Sequence, residues 1–298
     1  MGTLIEQVAL TDGGWRTRHS ALRLAVKAAK QCLNEAGRNA DDVDLLINAG
    51  IYRDRNLAEP ALAAMIQQDI GANPEDPHEQ AHGTFSFDIS NGSCGVLTAL
   101  QIVDGFLKSR SIDLALVVAS DADPGHGMSE NFPFSPTGAA LLCDWSDDDR
   151  GLETIHWIRI PDDGESFSAT VGLLDGRNVL RFEVADGADE LFADAAAQAA
   201  ETCLRASSLT LDDIDAIIAA PAHSGFLTAL SARIGLSENK IIVAGDQGTH
   251  TASLAAAFDR AADQVRPGGR ILLVAAGAGV TAGAALYRMP DRTASRQQ

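Results

Sequence analysis

Four side chains in this sequence are of types that perform nucleophilic chemistry, and each sits where the backbone would help it. Ser93 and Cys94 occupy Gly92-Ser93-Cys94-Gly95, at the start of a helical stretch. His250 closes Gln247-Gly248-Thr249-His250, just before the first turn of another, and His223 follows the apolar run Ile214–Pro221. A helix start leaves N–H groups unpaired and carries partial positive charge, which favours a thiolate, an alkoxide-like transition state or an oxyanion. Gly92 and Gly95 permit a tight turn and close approach by a substrate. A serine hydroxyl needs a base at neutral pH, whereas a cysteine at a helix start largely ionises by itself. A helix turns roughly 100° per residue, so Ser93 and Cys94 cannot both face one substrate. Structural roles stand beside each of these: a helix N-cap for Ser93, a packed small residue for Cys94, a loop histidine for His223.

The elements that must position these residues come in two copies. Ala28–Gly50 aligns without a gap with Ala199–Pro221, a shift of 171 residues that matches Cys32 with Cys203, Asp42 with Asp213 and Asp44 with Asp215. Each copy reads as a helix, a polar turn and a short apolar strand. Cys94–Ser120 and Thr251–Gly277 repeat the logic at a shift of 157, which sets Ser93 opposite His250. The strands of this second pair are apolar throughout, as expected where helices cover both faces of a sheet. The chain therefore reads as two similar α/β halves about a pseudo-twofold, 1–155 and 156–298, joined within the Asp- and Gly-rich stretch Asp147–Asp163. The tail Asp291–Gln298 reads as disordered.

Composition narrows the function classes. The 298 residues, 46% apolar and 21% charged, suit a globular chain that buries a core without disulfides or metals. A net charge of -18 argues against nucleic-acid or anionic-membrane partners, although a local Arg cluster can still receive an acidic small molecule. No apolar run approaches the ~20 residues of a membrane span, and the N-terminus lacks a secretory pattern. Cys32, Cys94, Cys143 and Cys203 are far apart, which fits reduced thiols in a cytoplasmic protein and neither a metal site nor a disulfide framework. Cys32, Cys143 and Cys203 read as core residues. The Asp147-Asp148-Asp149 and Asp162-Asp163 runs read as solvated loops, as do His19, His78, His82, His126 and His156.

The stretch FDISNGSCGVLTALQIVDGFLKSRSIDLALVVASD resembles the nucleophile region of the thiolase superfamily, specifically the ketoacyl-ACP synthase III group. GRILLVAAGAGVTAGAALYR resembles that group's closing strand, Gly-rich loop and last strand, and EPALAAMIQQDIGA and FPFSPTGAALLCD resemble further family segments. The similarity covers most of Ala21 to Met289. It implies a five-layered αβαβα fold and acyl transfer from a CoA or carrier-protein thioester through an acyl-enzyme, with no permanently bound cofactor. It also implies a homodimer, or a heterodimer with another thiolase-fold protein. Gly279 would supply a backbone N–H to an oxyanion, and Arg53 and Arg55, in the segment Tyr52–Gln68, would meet a phosphopantetheine or an acidic acyl group.

Members of the group use a Cys at the helix start, a His after a strand of the C-terminal half and an Asn before the last long helix. Here the Cys position falls on Ser93, the His position falls near Pro221-Ala222-His223 without the usual His-Gln-Ala-Asn, and no Asn occurs in Gln247–His250. The N-terminal loop is short, Thr11–His19, but holds Trp15, Arg16 and Arg18 where the family keeps an Arg- and Trp-bearing loop near CoA. Exchanging Asn for His turns a site that stabilises a decarboxylation enolate into one that deprotonates an incoming nucleophile. The expectation is acyl transfer to oxygen, nitrogen or another acceptor on Ser93 or Cys94, with His250 and His223 as base, acid and oxyanion partner. The alternative is a catalytically degenerate subunit that pairs with an active thiolase-fold partner.

Overall fold

A computed structural model describes residues 2–73 and 83–290; His78, His82 and the tail from Asp291 lie outside the described residues. In the first half the chain runs β1 (Gly2–Asp12), α1 (Ala21–Ala36), β2 (Leu45–Asn48), α2 (Leu62–Ile70), β3 (Phe85–Asp88), α3 (Gly95–Lys108), β4 (Ala115–Asp121) and β5 (Thr137–Ser146). These strands form one sheet in the order β1-β5-β4-β2-β3. The chain continues through β6 (Gly151–Leu152), β7 (His156–Arg159), β8 (Phe167–Leu174), β9 (Arg177–Val184) and α4 (Ala188–Ala206). It ends with β10 (Ala216–Ala220), α5 (Ser224–Ile234), β11 (Ile241–Ile242), α6 (Ser253–Ala262), β12 (Arg270–Gly277) and β13 (Thr281–Arg288). The second sheet runs β11-β10-β12-β13-β6, with β7 also paired to β13.

The sheets share one topology. In the first, β3, β2 and β4 are parallel neighbours, and β5 returns antiparallel to β4 and β1. In the second, β11, β10 and β12 are parallel, and β13 returns antiparallel to β12 and β7. Side chains alternate across each strand. Leu45 and Ile47 of β2 point into a central core with Ile218, Ile271 and Leu273 of the second sheet. Leu46 faces α1 and α2, while Ile217, Leu272 and Val274 face α4 and α5. Helices α3 and α6 fill the central layer, giving α1 and α2, sheet, α3 and α6, sheet, α4 and α5: the expected five layers. Strands buried on both faces explain the unbroken apolar runs. The fully buried Tyr287 of β13 accepts a hydrogen bond from the Ile5 N–H of β1 at 3.0 Å, tying the two sheets together.

The repeated acidic motif has a structural cause. Asp42 accepts from the Asn39 N–H at 2.9 Å and Asp213 from the Thr210 N–H at 2.8 Å, each closing the short turn between helix and strand. Two residues on, Asp44 accepts from the N–H groups of Asp113 and Leu114 ahead of β4, and Asp215 from the Arg270 N–H that opens β12. The matched acids thus pin each helix–turn–strand unit to the neighbouring strand. Helix α1 begins at Ser20, whose side chain accepts the Arg23 N–H, and stops at Gly37 with φ 69°.

One element stands outside both sheets. Strands β8 and β9 form a two-stranded hairpin turning at Asp175 and Gly176, both at positive φ, joined to neither main sheet among the described residues. Its Phe167 and Phe182 pack over Tyr52 and Phe134, while Leu173 is 77% exposed. No described helix is long and apolar enough to cross a membrane.

Candidate active site

The end of β3 leads through a single turn, Gly92–Cys94, into α3. Gly92 takes φ +50°, and a Cβ there would sit 3.5 Å from His250 Nε2, so the imidazole lies over the residue preceding Ser93. Ser93 is 3% exposed, and its hydroxyl donates to the Ala276 carbonyl at the end of β12. Gly277 is where strand and serine meet most closely: a Cβ there would stand 2.6 Å from Ser93 Oγ. The loop 249–251 brings His250 to the same place from the start of α6. Its ring stacks on Phe134 with centroids 4.1 Å apart and lies 5.4 Å from Tyr52.

Behind His250 stands Asp121, the last residue of β4 and 2% exposed. Its Oδ2 lies 3.3 Å from His250 Nδ1 and accepts the Thr251 N–H at 2.9 Å and hydroxyl at 2.7 Å. Its Oδ1 accepts the N–H groups of Ile51 and Tyr52 at 3.3 and 3.2 Å. Burial pushes this carboxyl upward, but the hydrogen bonds from His250 and Thr251 outweigh it and hold Asp121 below the usual carboxylate range.

These groups open onto a cavity of about 320 Å³ whose wall includes Ser93, His223, His250, Phe134, Phe167 and Gly277. The structure thus brings together three of the residues singled out from sequence. His223, at the end of β10 and half-exposed, has Nδ1 3.5 Å from Asp189. A second cavity of about 250 Å³, with Leu57, Ala58 and Val171 at its far end, shares Ile51, Tyr52, Ser90 and Ala169 with the first. The paired cavities form a mostly apolar trough under the hairpin.

Three of the expected residues, Cys94, Gly279 and Arg55, line neither cavity. Cys94 turns into the central core with no exposed surface, its thiol donating to the Thr281 carbonyl at 3.5 Å, and burial pushes its pKa up to about 12. One step along the turn separates a cavity residue from a core residue, as the rotation per residue requires. Gly279 is exposed at the tip between β12 and β13 with nothing near it, so the close approach belongs to Gly277. Arg53 lines the second cavity and pairs there with Asp88 at 2.9 Å, and Asp88 also accepts the N–H groups of Leu62 and Ala63 at the start of α2. Arg55 is exposed and lines neither cavity. Among the described residues no group of three or more His, Cys, Asp or Glu is placed to hold a metal.

Residues 204–289 match the family pattern described as 3-oxoacyl-[acyl-carrier-protein (ACP)] synthase III C terminal. The beta-ketoacyl-[acyl-carrier-protein] synthase III of Caulobacter vibrioides is 29% identical over 310 residues, covering 93% of this chain and 88% of that protein. Its namesake in Erythrobacter litoralis is 28% identical over 286 residues, covering 89% and 83%. Over most of its length the chain is similar to beta-ketoacyl-ACP synthase III proteins. Its fold is shared by solved structures: the Aquifex aeolicus 3-oxoacyl-[acyl-carrier-protein] synthase III superposes with a TM-score of 0.78 at 21% identity, covering 96% of this chain and 100% of that one. The priming beta-ketosynthase of the R1128 polyketide pathway gives 0.77 at 20% identity, covering 97% and 96%.

In this synthase III-like chain, sequence reasoning missed Asp121, Phe134 and Tyr52. The signal for Asp121 was a carboxylate ending an apolar strand, where α/β sheets gather ligand-binding groups. For the aromatic cluster there was none, because Tyr52, Phe134 and Phe182 meet only in three dimensions.

Proposed function

We propose that the protein is an acyltransferase of the ketoacyl synthase III-like type that carries its acyl group on Ser93. The observation that supports this is the shared cavity wall: Ser93 and His250 face the same space, with the imidazole over Gly92 and its other nitrogen on a buried carboxylate. The donor is a thioester of CoA or of an acyl carrier protein. In loading, the Ser93 hydroxyl leaves the Ala276 carbonyl, gives its proton to His250 Nε2, and attacks the thioester carbonyl. The C–S bond breaks and the thiol departs with that proton. In transfer, His250 takes the acceptor's proton, the acceptor attacks the Ser93 ester, and the proton returns to Oγ. His223, the second imidazole on the wall, serves as oxyanion and leaving-group partner. A base at position 250 favours transfer to an oxygen or nitrogen acceptor over decarboxylative carbon–carbon bond formation.

Trp15, 80% exposed with the Arg16 guanidinium 6.0 Å from its ring, and Arg18, bonded to His19 instead of a carboxylate, supply a stacking face and positive charge for the donor's phosphates. Among the described residues β3 ends its sheet with Phe85 57% exposed, which supports assembly of two copies edge to edge.

The test is trapping. Incubation with a panel of acyl-CoA and acyl-carrier-protein donors is expected to add one acyl mass to the intact protein and to Cys94→Ala, and none to Ser93→Ala. No adduct with any donor, or an adduct surviving in Ser93→Ala, overturns the proposal. One observation favours the degenerate-subunit reading: the Ser93 hydroxyl donates to a backbone carbonyl. That reading expects no adduct and a stable complex with a thiolase-fold relative in native mass spectrometry.

A further inference from the structure

The established contacts of His250 leave its chemistry undetermined until one asks what fixes the ring. Stacking on Phe134 holds the imidazole in a plane but is equally compatible with the ring flipped by 180° about Cβ–Cγ. The Nδ1 contact with Asp121 selects the flip that puts a nitrogen, not a carbon, against the carboxylate and leaves Nε2 toward Gly92. Asp121 is well built for that task. Four other donors, the N–H groups of Ile51, Tyr52 and Thr251 and the Thr251 hydroxyl, clamp both of its oxygens in a site 2% exposed. An ionised carboxylate only accepts, so the histidine proton must lie on Nδ1 and Nε2 is left as an acceptor over Gly92, on the cavity wall that Ser93 also lines.

We propose that Asp121 is the positioning residue of this site, locking His250 in the Nδ1–H tautomer so that Nε2 is a ready base for the Ser93 hydroxyl. The inference rests on the acyl-serine reading for its consequence but not for its geometry. Asp121 touches no substrate and takes no proton; it acts through His250. The three segments it joins, the end of β4, the loop 50–52 and the loop 249–251, come from both halves of the chain, so one carboxylate sets the alignment of the two halves at the cavity. The carboxylate stays charged through neutral pH, in keeping with the downward direction of its titration.

The experiment reads tautomer and rate separately. Protein labelled with ¹⁵N-histidine is examined by long-range ¹H–¹⁵N correlation, with His250→Gln identifying the His250 signals. The expected wild-type spectrum shows a protonated Nδ1 and an acceptor-type Nε2. In Asp121→Asn the amide donates to Nδ1, and the Nε2–H form is expected to dominate. With whichever donor acylates the wild type, Asp121→Asn should lower the acylation rate roughly 10²–10⁴-fold, the worth of a correctly placed general base, with donor KM little changed. A wild-type Nε2–H tautomer overturns the proposal, as does an Asp121→Asn protein with the wild-type tautomer or rate. Should Asp121→Asn fail to fold, the wild-type tautomer decides alone. If the wild type is never acylated, the acyl-serine reading fails while the tautomer still tests Asp121.

Discussion

Gly277→Ala tests the proposed nucleophile by steric means alone. The added Cβ would lie 2.6 Å from Ser93 Oγ and 3.8 Å from the Ser93 nitrogen. A carbon–oxygen contact needs about 3.3 Å, so the hydroxyl must move by roughly 0.7 Å or turn off the Ala276 carbonyl. Overpacking of this kind costs about 1–3 kcal/mol, and removing a glycine from a strand returns about 0.5–1. The net loss of about 1 kcal/mol lowers Tm by about 2 °C in a chain this long. Catalysis is far less tolerant, because a misplacement approaching 1 Å costs roughly 10²-fold. The assay pairs thermal unfolding with the rate of acyl-adduct formation by intact mass. Gly279→Ala is the control: it strains a backbone at φ +69° but touches nothing. The reasoning is refuted if Gly277→Ala acylates at the wild-type rate, or if Gly279→Ala is the slower of the two.

Further tests follow from other parts of the molecule. All four cysteines are buried and burial raises each thiol, so iodoacetamide at pH 8 should modify none in the folded protein and four after unfolding; alkylation of native Cys94 would place it at the surface. Burial first and the charge of Glu6 second push Asp144 up to about 6, and its Oδ1 has no hydrogen-bond partner. A carboxyl raised on folding stabilises while protonated in both states and loses that contribution as pH climbs through the folded value. Asp144→Asn should therefore raise Tm at pH 8 and leave it unchanged near pH 3.5; equal shifts at both pH values would contradict the assignment. If two copies assemble through the β3 edge as proposed, Phe85→Lys, which puts a charge there, should shift the assembly to monomer by native mass or sedimentation, and an unchanged oligomer would exclude that edge as the contact.

The layers were readable before any coordinates because they rest on local patterns. The helix–turn–strand repeat at Ala28–Gly50 and Ala199–Pro221 shows in composition, and the capping acids Asp42 and Asp213 are part of the pattern itself. The hairpin β8–β9 was not read, since its alternation is broken by Gly172 and it joins neither sheet. The site divided along the same line. Ser93 opposite His250 follows from the internal shift, but which of Ser93 and Cys94 faces the cavity depends on the rotation of one turn. Asp121 and His250 stand 129 residues apart, and nothing in a single chain pairs them. The Arg53 pairing was hidden because its partner Asp88 lies 35 residues away at the end of β3.

The hairpin's separateness has a bearing on how such a scaffold changes its clientele. It is anchored by the Ser129–Leu180 bridge, the Asn56 amide on the Asn178 carbonyl and the aromatic cluster, and it contributes Phe167, Ala169 and Val171 to the trough walls without a single ladder bond to either main sheet. Residues along it can be exchanged, lengthened or grafted while the layered frame keeps its own hydrogen bonds. Accommodation of a bulkier or more polar guest is thereby uncoupled from the integrity of the body, and directed evolution aimed at 167–184 addresses selectivity with little exposure to misfolding.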